Sequence, residues 1–548
     1  MSPTTVYEVF AHSLARSPDA PFLFVEPVTA KTYGIASQTL SYGAAAERIG
    51  ELKQKFQAAG YGPGHRVGLL LANRPSFFLH WFALNALGVS VVPISTEMRR
   101  AEWAYLIGHS GMCLAVCLAD RVTDLTDAAG DARREFADAT PQFAAVVEEL
   151  EVGLPRAPAV ACAPASPLDR ECALLYTSGT TGRPKGCRLS NAYFLNCGRW
   201  YTGVGGLCEV RPGRERVITP LPLSHMNAMA VSAMMAVTSG GCIVQLDRFH
   251  PGSWWQSVRD SGATIVHYLG VMPAMLLAAA PDEKDRAHAV RFGFGAGVDP
   301  AHHAVFEQRF GFPLLEAWAM TETGSAATVI ANREPRHVGT KCFGRAESFM
   351  ELRLVDEQGV DVPAGQPGEL LVRSAGTDPR RHFFSGYLKD EAATEQAWEG
   401  DWFHTGDVVR QDKDGYLYFV DRRKNVIRRS GENISAVEVE SVLNRHPAVR
   451  ASGVAGTPDP LRGDEVLACI VTHQSVPIER RAALAAEIVA HALSQLAYYK
   501  APGYVAFVDA LPLTSSQKIQ RAALKEMAAA LPSQAHCVDV RGLKKRTA

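Results

Sequence analysis

An apolar run, Cys172-Ala-Leu-Leu-Tyr176, opens directly onto Thr177-Ser-Gly-Thr-Thr-Gly-Arg-Pro-Lys-Gly186. Tyr176 to Gly186 inclusive holds three glycines, four Ser/Thr hydroxyls and one lysine. Glycine lets backbone N–H groups approach an anion with no Cβ in the way. Successive N–H groups and hydroxyls can ring a phosphate, and Lys185 adds charge. A strand that delivers its chain into an anion-holding turn belongs to a layered α/β architecture, and the neighbouring sequence agrees. Ala44–Ala59 has helical periodicity and stops at Gly60, Val67–Leu71 reads as a strand, Phe77–Leu87 as a helix and Val89–Ile94 as a strand. This alternation predicts sheets covered by helices.

Two better-known phosphate loops do not fit. A Walker-type loop ends in Gly-Lys-Ser/Thr, whereas Gly182 is followed by Arg183-Pro184-Lys185. Gly293-Phe-Gly-Ala-Gly297 lacks the GxGxxG spacing of a dinucleotide fold.

From about Gly359 the texture changes to short strands with turn signals, Glu369–Arg373 and Tyr416–Val420, the latter after Lys413-Asp414-Gly415. A charged stretch, Asp421-Arg-Arg-Lys-Asn425, carries no apolar periodicity. Beyond it, Ser435 and Glu438 form a capping box for a helix with Val439, Val442 and Leu443 on one face. The reading is an α/β protein. A large N-terminal domain, residues 1–422, carries βα-layered sheets and a β-rich subdomain from about 345 to 422; a hinge lies near 421–425; a small α+β C-terminal domain runs over 425–548.

Composition excludes several classes. Lysine plus arginine number 56 against 57 acidic residues, a balance unlike that of a protein that neutralises nucleic-acid phosphates. The one basic cluster, Arg541 to Arg546, is expected to be a frayed end. Eleven cysteines include no CxxC pair, which speaks against a disulfide framework and for a reducing compartment. No basic-then-apolar leader opens the sequence, and the most apolar window, Met226–Val237, contains Asn227 and Ser232 and is too short to span a bilayer. A cytoplasmic protein without a membrane span is expected.

The Tyr176–Gly186 loop resembles the signature of the adenylate-forming superfamily, which includes acyl-CoA synthetases, peptide-synthetase adenylation domains and luciferase. The resemblance continues through further motifs in order. Thr177, Ser178, Gly179, Thr180, Thr181, Gly182 and Lys185 take the place of the phosphate-binding loop. Ala317-Trp-Ala-Met-Thr-Glu322 resembles the aromatic-Gly-Met-Thr-Glu segment. By that likeness Trp318 stacks on adenine, Thr321 meets the α-phosphate and Glu322 holds Mg²⁺, while Ala319 departs from the usual glycine. Thr405-Gly-Asp407 resembles the ribose-binding segment, with Asp407 as its ligand. Asp421-Arg422 resembles a Gly-Arg pair, with Arg422 near ribose and phosphate. Lys424 falls on the hinge. In Ser430-Gly-Glu-Asn433, Gly431 would leave room for the pantetheine arm of coenzyme A. Lys518, in Gln517-Lys-Ile-Gln-Arg521, would be the catalytic lysine of adenylation, with Gln517 in place of glycine.

Pro222-Leu-Ser-His225 resembles the opening of the carboxylate pocket, and His225 would line the route between substrate and thiol. Gly295, Ala296 and Gly297 are expected beside the nucleotide. With Trp200, Tyr201, Met226, Tyr268 and Gly270 they are also candidates for the acyl pocket. His267, His302, Arg333 and Lys341 are expected at the surface, with contact to a polar acyl tail as the alternative.

The stretch Asp421–Asn433 is most similar to crotonobetaine/carnitine–CoA ligases and related bacterial acyl-CoA ligases. The resemblance implies ATP, Mg²⁺ and coenzyme A as cofactors, and a C-terminal domain that rotates about Lys424 between two half-reactions. A carboxylate first gives acyl-adenylate and pyrophosphate; a thiol then gives acyl-CoA and AMP. Transfer to a carrier-protein phosphopantetheine, and an inactive nucleotide-binding scaffold, stay open as alternatives. A homodimer is common in the family. A small or polar carboxylate is favoured.

Overall fold

The structure is a computed structural model that describes residues 2–136, 142–150, 153–160, 165–177, 183–356, 358–422, 426–430, 432–512, 519 and 521–544. It divides into two compact units. The first comprises Met1–Thr96, Ile107–Tyr176 and Gly186–Asp421; the second comprises Glu97–Leu106, Thr177–Lys185 and Arg422–Ala548.

The first unit contains three sheets. One is eight-stranded, with its centre formed by Leu314–Trp318, Phe292–Ala296, Ile265–Leu269, Arg216–Thr219, Cys242–Gln245 and Pro21–Val25 in that spatial order. These neighbours pair in parallel, and antiparallel strands Val329–Ile330 and Gln38–Ser41 close the two edges. A second sheet orders Ala144–Val147, Leu114–Cys117, Arg66–Leu70, Ser90–Pro93, Glu171–Thr177 and Lys185–Ser190. The helix Pro75–Ala86 is buried on every face from Phe77 to Asn85, as expected of a helix without a polar side. Its one amide, Asn85, is satisfied by the Tyr7 N–H and by Asn191.

The third sheet is antiparallel and matches the expected β-rich region, although its strands are longer than the turn signals suggested. Trp402–Gln411 pairs with Pro367–Ser374, which pairs with Met350–Val355. Strict alternation of burial along Trp402–Val409 shows one face on the core and one toward water.

The second unit is a mixed sheet with helices. The hairpin Val426–Arg429/Glu432–Ser435 joins the long antiparallel pair Val449–Asp459/Gly463–Thr472, followed by Tyr504–Phe507 and Cys537–Asp539. The helix expected after Ser435 spans Ala436–Leu443, and Val439, Val442 and Leu443 are buried in the unit's core. Among the described residues, no helix is long and apolar enough to cross a membrane.

Candidate active site

The carboxyl ends of the central parallel strands of the eight-stranded sheet carry the candidate residues of the first unit. Tyr268, Gly295 and Glu316 stand in register on three adjacent strands. Neighbours in register point to the same face. Gly295 supplies no side chain there; a Cβ would lie 2.3 Å from the Tyr268 carbonyl oxygen and 2.7 Å from its ring. The Tyr268 ring therefore crosses over Gly295, and its hydroxyl donates to Glu316 Oε1 at 3.0 Å. Glu316 then accepts the Gly297 N–H at 3.0 Å and the Val298 N–H at 3.2 Å. Burial lifts the Glu316 carboxyl above its usual range despite these donors. The glycine-rich segment is thus the end of a strand and a braced turn, with Gly297 at φ +81°. Gly295 lies buried beneath Tyr268, whereas Ala296 and Gly297 are exposed.

The next strand ends at Trp318, which is buried, and its Nε1 donates to Asp407 Oδ2 at 2.8 Å. This bond joins two motifs 89 residues apart in sequence. The Thr-Gly-Asp segment, an irregularity within the strand Trp402–Gln411, is built for it. Thr405 Oγ1 donates to the Leu370 carbonyl and accepts the Asp407 N–H, and Gly406 takes φ +68°. Beyond Trp318, the Thr321 carbonyl accepts the Tyr193 hydroxyl at 2.9 Å. Glu322 is 7% exposed, and Tyr387 donates its hydroxyl to Oε1 at 3.0 Å. Tyr387 belongs to a segment bridged to the strand Lys185–Ser190: Cys187 pairs with Tyr387, and the Leu388 N–H donates to the Gly186 carbonyl at 2.8 Å. Glu322 is thereby connected to the strand Lys185–Ser190.

His225 is exposed and precedes a π-helical turn, Asn227–Ser232. A wider turn of this kind often marks functional sites. It is pinned by His267, a residue expected at the surface that is instead wholly buried. Asn227 Oδ1, 2.8 Å from His267 Nδ1, can only accept, which assigns the proton to Nδ1, with Ser232 Oγ 2.7 Å away, and leaves Nε2 to accept from the Tyr201 hydroxyl at 3.0 Å. Phe294 stacks on the imidazole at 4.8 Å. His267 shares one face of a buried strand with Ile265 and Leu269, and tyrosine, serine and asparagine satisfy its two nitrogens, so it has no need of water. Arg333 and Lys341 are exposed, as expected, and His302 is half-buried.

Burial drives the His267 imidazole down to about 3. An unfolded chain takes up that proton below its ordinary value of 6.5 while the folded one does not. Stability present above 6.5 is therefore lost progressively as pH falls toward 3. We expect the urea midpoint to fall over this range and the slope to be shallower in His267→Gln; equal slopes would remove His267 from the acid response. Buried His80, brought down to about 4, should supply part of the slope that persists.

Thr177 ends the strand Glu171–Thr177, Lys185 opens Lys185–Ser190, and Arg422 ends Leu417–Arg422. Ser178, Gly179, Thr180, Thr181, Gly182, Lys424, Gly431 and Lys518 lie outside the described residues. Sequence reasoning passed over Glu316, Tyr387 and Tyr193. A carboxylate inside the strand Leu314-Leu-Glu-Ala-Trp318 was a usable signal, because such a group needs partners; the two tyrosines gave none.

The family description "AMP-binding enzyme" matches residues 10–388, and "AMP-binding enzyme C-terminal domain" matches residues 438–518. The chain belongs to the AMP-binding, adenylate-forming enzymes. It is 32% identical over 528 residues to a sulfoacetate–CoA ligase of Cupriavidus necator, covering 94% of this chain and 96% of that protein. It is 30% identical over 504 residues to a crotonobetaine/carnitine–CoA ligase of Shigella sonnei, covering 88% and 93%. Its fold is similar to that of an o-succinylbenzoate CoA synthetase double mutant from Bacillus subtilis, with a TM-score of 0.78 at 23% identity over 96% of this chain and 98% of that one. It is also similar to an amide bond synthetase from Marinactinospora thermotolerans, with a TM-score of 0.75 at 23% identity over 95% and 99%.

Proposed function

We propose that the protein is an ATP-dependent acyl-CoA ligase acting on a small carboxylic acid with a polar or charged remainder. The observation that carries this reading is the Trp318–Asp407 hydrogen bond. It brings an aromatic suited to a base and a carboxylate suited to ribose hydroxyls to one place, beside the braced turn at Gly297. The two relatives named above act on sulfoacetate and on crotonobetaine or carnitine, small acids with a charged far end, and this supports the substrate class.

In the first half-reaction a carboxylate oxygen attacks the α-phosphorus of ATP, and the bond to pyrophosphate breaks. In the second, a thiol loses its proton and its sulfur attacks the adenylate carbonyl; AMP leaves. The residues fit a magnesium ion. Among the described residues no cluster of three or more His, Cys, Asp or Glu could hold a metal by itself. Magnesium is commonly held by one or two carboxylates together with substrate phosphates and water, and Glu322 supplies one such carboxylate. When bound there, the ion would neutralise charge on the phosphates. Lys185 and Lys518 are assigned to the same charge, and Thr321 to the α-phosphate. Trp318 and Asp407 orient the nucleoside.

The test is pyrophosphate release from ATP and Mg²⁺ across a panel of carboxylates, with and without coenzyme A. The panel contains short fatty acids, aromatic acids, betaines, and sulfonated and dicarboxylic acids. Release with sulfonated or betaine acids, and AMP turnover only with coenzyme A, is expected. Release indifferent to coenzyme A but responsive to a holo-carrier protein would replace the acceptor, and no release with any acid would sink the reading.

A further inference from the structure

Lys544 lies in the basic cluster expected to fray, yet its side chain is 1% exposed. Its ammonium donates to Glu465 Oε1 at 2.5 Å and to the Tyr499 carbonyl at 3.5 Å. Glu465 is itself fully buried and is held from its other side. Arg429 Nε donates to both carboxylate oxygens, at 2.9 and 3.0 Å, and the Val466 N–H donates to Oε1 at 2.9 Å. The Glu465 side chain runs over Gly503, where a Cβ would lie 2.5 Å from its Cδ. The residues before Lys544 are docked as well. The Val540 N–H donates to the Gly503 carbonyl at 2.9 Å, and Arg541 pairs with Asp539 at 2.7 Å and Asp459 at 3.6 Å.

Removing three charges from water costs more than apolar packing of the same volume would, so such a cluster is better explained by the geometry it imposes than by stability. Burial, with Arg429 beside it, brings the Lys544 ammonium down to about 7, while Lys544 and Arg429 outweigh burial and hold the Glu465 carboxyl below its usual range. The geometry imposed is that of Arg429. This residue is the last of its strand, pairs with Glu432 across the hairpin and with Gly463 on the neighbouring strand, and precedes the turn at Ser430. Ser430 takes φ +51°, a strained backbone for a residue other than glycine, and its N–H donates to the Arg462 carbonyl at 2.9 Å. The resemblance assigns the pantetheine arm to the residue after Ser430.

We propose that Lys544 is a positioning residue for the thiol acceptor's binding: it closes the Glu465 carboxylate against Arg429 and so fixes the paired strands Val426–Arg429 and Glu432–Ser435. This rests on the acceptor reading given above. In the second half-reaction the cluster would act on binding of coenzyme A and leave adenylate formation untouched.

The experiment uses the full chain carrying Lys544→Met, with Lys544→Arg as the charge-conserving partner. In Lys544→Met we expect amide exchange across residues 428–434 to quicken and KM for coenzyme A to rise, each about tenfold. ATP–pyrophosphate exchange should run at the wild-type rate, and Lys544→Arg should recover most of the KM. Unchanged exchange and unchanged KM overturn the proposal, as does an equal loss in both half-reactions, which would mark a general packing role. Faster exchange with an unchanged KM also overturns it, because the hairpin would then be held without consequence for the thiol. A wild type that makes no thioester with coenzyme A defeats the acceptor reading instead, and the amide exchange then decides by itself whether Lys544 fixes the hairpin.

Discussion

Glu322→Gln is expected to slow adenylate formation by about 10²–10³ while leaving the fold intact. The amide has the shape of the carboxylate, and its oxygen can still accept the Tyr387 hydroxyl that now reaches Oε1 at 3.0 Å. The Phe384 N–H bonds the Glu322 backbone carbonyl at 2.9 Å and is untouched by the change. What the variant loses, under the proposed role, is the negative charge offered to magnesium, and a neutral amide is a weak ligand for that ion. Pyrophosphate release measured against Mg²⁺ concentration should show a raised metal requirement as well as a lower maximum. Tyr387→Phe is the informative companion. It deletes a single hydrogen bond to a charged group, worth about 1.5–3 kcal/mol, so its loss should be smaller and its metal requirement closer to wild type. A Glu322→Gln enzyme within about threefold of the wild type at all metal concentrations would refute the metal role.

Much of this candidate site was legible because the residue types proposed for it stand in short contiguous words. Strand-then-glycine loop, aromatic-to-glutamate segment and Thr-Gly-Asp segment each announce themselves by residue type, and the structure seats the last two against each other through Trp318 and Asp407. Helix and strand periodicity likewise located Tyr42–Ala58, Arg66–Leu70, Pro75–Ala86 and Ser90–Pro93 to within a few residues. Features that depend on register between distant strands were not legible. His267 reads as an ordinary polar residue until Tyr201, Asn227 and Ser232 are brought around it from a helix and a π-helical turn. Lys544 reads as one of several solvated charges until Glu465 is found beneath it, 79 residues back. Gly293-Phe-Gly-Ala-Gly297 was judged by its spacing against a nucleotide fingerprint, whereas Gly293 makes room for Leu314 and the Tyr268 ring, at 2.7 and 3.2 Å from a Cβ built there, Gly295 for the Tyr268 carbonyl and ring, at 2.3 and 2.7 Å, and Gly297 supplies φ +81°.

That last point leads to a second large effect. Gly270→Ala is expected to disable adenylate formation by about 10² or more, although Gly270 belongs to none of the nucleotide-binding motifs and was read only as a candidate for the acyl pocket. Its own backbone, φ −54° and ψ −25°, suits any residue, so no conformational penalty is involved. The obstacle is steric and unyielding. A Cβ at this position would lie 1.7 Å from the Gly297 carbonyl oxygen and 2.3 Å from its carbonyl carbon. Those are backbone atoms of the turn that Glu316 braces, and they cannot step aside as a flexible side chain would. The turn must move by about an ångström or more, a displacement that typically costs about 10² in rate when it misplaces a bound reactant. Overpacking against a well-fitted interior adds about 1–3 kcal/mol of destabilisation, which a thermal melt would register. Gly297→Ala separates the two causes. No atom lies within 4 Å of a Cβ there, but φ is +81°, so the cost is conformational. It should be about 1–2 kcal/mol, with the turn close to its present path. If the turn's position governs the site, ATP-dependent pyrophosphate release should collapse in Gly270→Ala and survive largely intact in Gly297→Ala. Equal activity in the two variants would mean that the braced turn does not set the geometry of adenylation.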